Sequence, residues 1–108
     1  MMSKTELFVD ASGIWCMGAQ PYGIAWADLY QVWGYTLNYP EIGPQLELEL
    51  TTKHGANLIV NATWPGFDKA LAAISEYLFL PNNDWQQRAK AVTANEAPYL
   101  IWSQNAQH

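Results

Sequence analysis

Ten carboxylates, two histidines and one cysteine are the groups of this 108-residue chain best suited to proton transfer or metal binding. Glu47 and Glu49 stand two apart in "LELELTT" (46–52), a spacing that puts both carboxyls on one face of a strand. Such a pair could run the acid and base steps of glycoside hydrolysis, provided that burial raises one of the two pKa values. Strict alternation with Leu46, Leu48 and Leu50 predicts a wet face instead, where both remain ordinary solvated carboxylates. His54 falls in "KHGA" (53–56), a turn sequence in which a polar residue is at home, and His108 is expected to be frayed. Cys16 lies in the apolar "IWCMG" and is expected to behave as a small buried hydrophobe. No Cys/His set has zinc spacing, and no glycine-rich loop precedes a helix in phosphate-cradling form. The expectation is a non-enzymatic chain with no catalytic residue, metal or cofactor.

The net charge of −5 narrows the partners. It opposes nucleic acid, whose binding rests on Lys and Arg neutralising phosphates, and it opposes an anionic membrane surface. It suits a basic protein, drawn in by long-range steering. "MMSKTELFVDASG" has no continuous apolar segment of the secretory kind and no run is long enough to span a bilayer, so the cytoplasm is the expected location.

The elements that must position these groups begin with two short strands, "ELFVD" (6–10) and "IWCMG" (14–18), around a Gly-containing turn. "AQPYG" (19–23) reads as a loop, and Ile24 to Leu29 as a strand end running into a tight turn. Asp28 is expected to cap that turn, its carboxylate accepting backbone N–H groups. Val32 to Leu37 reads as a strand, "YPEIGP" (39–44) as a loop, and 46–52 with "NLIVNAT" (57–63) as a hairpin turning at Gly55. From Phe67 the period becomes helical: Leu71, Ile74 and Leu78 form a stripe expected to face the sheet, with Pro65 in the first turn and Pro81 as the stop. "NND" (82–84) offers N-cap residues to a second helix carrying Trp85, Ala89 and Val92 on its apolar side, and "PYLIWSQ" (98–104) closes as a strand. The expected fold is a single α+β domain: an antiparallel sheet of five to six strands, two helices from the C-terminal half packed on it, and a final short strand.

Aromatic residues crowd "GIAWADLYQVWGYTLNY" (23–39). Trp33, Tyr35 and Leu37 share one face of the expected strand, while Trp26 and Tyr30 straddle the turn before it. Large rings fill a small core well, but six Trp and six Tyr exceed what this core can hide. The surplus is expected at the surface, where Tyr and Trp anchor protein interfaces. The candidate partner-binding residues are Glu47 and Glu49 on one strand face, Glu41 in the preceding loop, and Tyr30 and Trp33 from the aromatic run.

"IAWADLYQV" (24–32) is similar to a pattern of PH-like and other small bacterial β-rich domains: an apolar residue, Trp, Asp, Leu, then Val opening the next strand. "LPNNDWQQRAKAV" followed by "APYLIW" resembles a group of small proteobacterial proteins. The resemblance implies a non-enzymatic fold of the kind found among bacterial toxin-immunity proteins, with Trp26 and Asp28 fixing the turn and Trp85 pinning the second helix. Two functions follow as expectations. One is an immunity protein that binds and neutralises a contact-dependent or type VI toxin. The other is a PH-like interaction module with a protein or lipid ligand.

Overall fold

A computed structural model of the chain describes residues 6–17, 22–78, 80, 84–93 and 96–104. Strand β1 (Glu6–Asp10) turns through Ala11 and Ser12 into β2 (Gly13–Met17), and β3 (Tyr22–Ala25) returns beside β2. One 3-10 turn over Trp26–Asp28 leads into the long β4 (Leu29–Tyr39). Then follow β5 (Gly43–Thr52), β6 (Asn57–Asn61), α1 (Phe67–Tyr77), α2 (Trp85–Lys90) and β7 (Tyr99–Ser103).

The class is α+β, but the strands form two antiparallel sheets instead of one, in the orders β1-β2-β3 and β6-β5-β4-β7. The expected sheet of five to six strands is corrected by the way β4 is used. One edge of β4 bonds β5 along its whole length, and β7 takes the other, so no edge of β4 is left for β3. The Trp26 N–H bonds Ser12 O at 3.0 Å, which keeps the chain with the first sheet until the turn redirects it.

Local chemistry sets the strand ends. The expected loop at 39–44 shrinks to a turn over residues 40–42, because β5 runs back through Pro44 to Gly43. Thr52 N–H bonds Ala56 O at 2.8 Å and Ala62 N–H bonds Leu46 O at 3.0 Å, so the even-numbered residues of β5 direct their backbone groups toward β6. Pro44 lies beyond the last of these pairs and lacks only a donor that would have had no acceptor. β6 stops at Asn61, two residues earlier than expected, since the Asn61 side-chain oxygen captures the Thr63 N–H at 2.8 Å. The hairpin turns as expected, with Gly55 at φ +89°. Gly18 and residues 19–21 of the expected loop lie outside the described residues, while Tyr22 and Gly23 belong to β3.

Leu46, Leu48 and Leu50 meet Val32, Leu58, Val60 and Ile101 in one core, which continues to Leu7, Ile14 and Ile24 of the first sheet. Leu78, Ile74 and Trp85 are buried and Leu71 is half-buried, as the helical stripe predicts. α1 packs on β1, whereas α2 lies against β4 and β7. α1 starts after Gly66, not within a turn containing Pro65. Gly66 holds φ +89°, and its α-carbon lies so near Leu7 O that a side chain would strike it. Leu7 N–H also bonds Pro65 O at 2.8 Å, tying the helix start to β1. Pro81, Asn82 and Asn83 lie outside the described residues. Asp84 occupies the N-cap position of α2 but makes no cap bond, its carboxylate pairing with Arg88 at 2.8 Å.

Candidate binding face

The four-stranded sheet has one face on the core and one turned outward. Register places Leu100, Trp33, Glu49 and Ile59 in a single row across β7, β4, β5 and β6. Ile59 is 44% exposed and Leu100 38%, large values for apolar side chains within strands. Between them sit the half-buried indole of Trp33 and the half-buried carboxylate of Glu49, which accepts from the Asn57 amide at 3.0 Å. The neighbouring row is Tyr35, Glu47 and Asn61. None of the register positions on this face, from Gln31 to Tyr39, Gln45 to Thr51 and Asn57 to Asn61, holds Lys or Arg.

Glu47 departs from its expected place in solvent. It does point outward, yet it is only 7% exposed. Tyr35 Oη donates to Oε1 at 3.2 Å, while Tyr39 Oη and Asn61 Nδ2 donate to Oε2 at 2.9 and 2.7 Å. The rings of Tyr35 and Tyr39 on β4 and the Asn61 amide on β6 close over the carboxylate, so outward direction is not exposure. Burial, with the charges of Glu47 and Glu49, pushes the Tyr35 phenol up to about 12. The hydrogen bond to Glu47 raises Tyr39 as well. A carboxylate held by three donors and so little exposed offers almost no surface for direct contact, whereas Glu49 in the next row is half-buried.

Of the five residues expected to bind a partner, the structure brings Trp33 and Glu49 together as cross-strand neighbours. Glu41 lies exposed in the turn at one end of the β4–β5 hairpin. Tyr30 lies near the other end, beside an irregularity in the pairing, where it lines a shallow hollow with Gln31, Thr52, Lys53 and Gln104. At about 3.3 Å per residue the two ends are roughly 30 Å apart, too far for one anchor cluster. Sequence reasoning missed Ile59 and Leu100. The alternation of buried Leu58 and Val60 around Ile59 carried that signal, but "YLIW" is apolar throughout and marks no outward position for Leu100. A shallow cleft of about 360 Å³ adjoins the row, lined by Tyr35, Leu37, Glu49, Glu96 and Pro98.

The turn at Trp26–Asp28 lacks the expected carboxylate cap: it has no side-chain cap bond, and Asp28 contributes its backbone oxygen to Lys53 N–H at 3.0 Å. Trp26 does hold the region, with Nε1 donating to Asp10 O at 2.9 Å and its ring 5.4 Å from that of Tyr77. Asp10 does cap a turn, accepting from Ser12 N at 2.8 Å and Gly13 N at 3.1 Å. Cys16 is buried, and burial pushes its thiol up, away from the reactive thiolate. Among the described residues, no three His, Cys, Asp or Glu side chains converge as metal ligands would. No helix among them is long and apolar enough to cross a membrane. Neither a protein-family model, nor a curated protein, nor a solved structure matches the chain.

Proposed function

We propose that this chain is a non-enzymatic protein-binding module that docks a basic partner on the outer face of its four-stranded sheet. The carrying observation is the row Leu100–Trp33–Glu49–Ile59, in which the exposed Ile59 and the half-buried Trp33 flank a carboxylate on strands that hold no Lys or Arg. Aromatic and aliphatic anchors supply contact area, and a carboxylate among them selects a Lys or Arg from the partner. The chain's net charge of −5 adds steering toward a basic surface. An antibacterial toxin met in the cytoplasm is the partner class that the sequence resemblance implies, and the module would then act as its immunity protein. A PH-like module for an anionic lipid headgroup has less support, since that ligand needs cations and the strands of this face carry none.

The test is capture of a partner from the native lysate on the immobilised chain, then titration of the purified partner against variants. Trp33→Ala should weaken binding roughly tenfold or more, as truncation of a central aromatic anchor does. Glu49→Lys should slow association and flatten its salt dependence. Capture of no basic protein, or wild-type affinity in both variants, would sink the proposal.

A further inference from the structure

Among the described residues the outer edge of β6 is uncovered, and its backbone supports a second conclusion, which shares Ile59 with the docking row. The even-numbered residues of β5 bond β6 at positions 58 and 60, so the N–H and C=O of Asn57, Ile59 and Asn61 point away from the sheet. Asn61 O accepts Trp64 N–H at 3.0 Å, but no backbone partner is seen for Ile59 on that side among the described residues. Edge strands in soluble proteins are guarded by charge, proline, a bulge, shortness or a covering element. Both edges of the three-stranded sheet have such guards: β1 carries Glu6 and Asp10 and lends Leu7 N–H to Pro65 O, and β3 is four residues long. β6, "NLIVN", has no charge, no proline and no bulge, and its central Ile59 is the exposed isoleucine of the sheet.

We infer that β6 is the pairing edge for a second copy of this chain. An antiparallel pairing centred on Ile59 sets it opposite Ile59 of the second copy, where the two residues exchange both N–H···O bonds. Asn57 then faces Asn61 of the second copy on either side, so the strand is self-complementary about a twofold axis. The two exposed isoleucines lie as a direct cross-strand pair and cover one another. Charge selects the same site. Copies that each carry −5 repel, and an uncharged strand is where their backbones can approach. The product is one eight-stranded sheet, with the Leu100–Trp33–Glu49–Ile59 row continued across the axis.

Analytical ultracentrifugation from micromolar to millimolar concentration tests this. The wild type should pass from monomer to dimer, and Ile59→Lys should raise the dissociation constant roughly tenfold or more with an unchanged circular dichroism spectrum. Hydrogen exchange on the wild type keeps the test decisive even if the variant misfolds: the Ile59 amide should be protected in the concentrated sample and not in the dilute one. A wild type that stays monomeric throughout overturns the inference. So does a dimer whose Ile59 amide gains no protection, or a folded Ile59→Lys variant that dimerises undiminished.

Discussion

The Asn61 amide and the Tyr39 hydroxyl lie 2.6 Å apart over the Glu47 carboxylate, although their strands are separated by β5. Asn61 donates to both Tyr39 Oη and Glu47 Oε2, and its own oxygen receives the Thr63 N–H and hydroxyl. Three strands and the start of the following turn are thus joined through one carboxylate.

Tyr39→Phe removes one charge-assisted bond and should cost about 1.5–3 kcal/mol in urea unfolding. Glu47→Ala should cost more, because it leaves the Tyr35 and Tyr39 hydroxyls without their acceptor and takes one of two acceptors from the Asn61 amide. A Glu47→Ala midpoint equal to that of the wild type would mean that the cluster is not formed in solution.

Tyr35 should titrate near 12, to be followed by phenolate absorbance. Its folded pKa lies above the unfolded value of about 10, so its contribution is complete below 10. That contribution is lost as pH rises through the window up to about 12, and unfolding becomes easier. Tyr35→Phe should delete this late-titrating component and flatten the alkaline fall in stability.

Asp10 has the opposite sign. Hydrogen bonds, first from the Ser12 hydroxyl and then from its backbone, hold its carboxyl below the usual range. Its stabilisation is present above the unfolded pKa and disappears as pH falls through the lower folded value. Asp10→Ala should therefore lower the denaturation midpoint at neutral pH, and the gap from wild type should close in acid. Asp28→Ala, whose side chain caps no turn among the described residues, should stay within about 0.5 kcal/mol of wild type.

Packing gives a pair of contrasting substitutions. Leu78→Ala should cost about 2–5 kcal/mol through the cavity it leaves. Gly34→Ala fails for the reverse reason: its new Cβ would sit 2.7 Å from Ala89 Cβ and 2.8 Å from Ile101 Cδ1, wedging α2 off the sheet. Overpacking of this kind costs about 1–3 kcal/mol, read as a shift in the thermal midpoint.

Most elements were legible because their periods are clean: alternation in 46–52, a helical stripe from Phe67 to Leu78. The division into two sheets was not. It depends on which strand claims the second edge of β4, and that strand, β7, lies far along the chain and leaves no mark on residues 29–39. Alternation also told which way Glu47 points but not how exposed it is. Its burial comes from Tyr35, Tyr39 and Asn61, two of them on one neighbouring strand and the third on another. Trp33 and Glu49 could be picked out singly from residue type. Their adjacency needed the register.

The late arrival of β7 also bears on how the chain acquires its shape during synthesis. β1, β2 and β3 are joined by short connections and can pair as soon as they exist, whereas β4 must wait for Tyr99–Ser103 before its second edge is filled. At about 5–20 residues per second, the interval between Tyr39 and Tyr99 leaves that edge uncovered for roughly 3–12 s on the ribosome. Hairpins close in microseconds, so the β4–β5–β6 meander has ample time to form with one flank unprotected. During those seconds the nascent chain presents two open strand edges on the same sheet, and any helper that shields it while it is being made should act there.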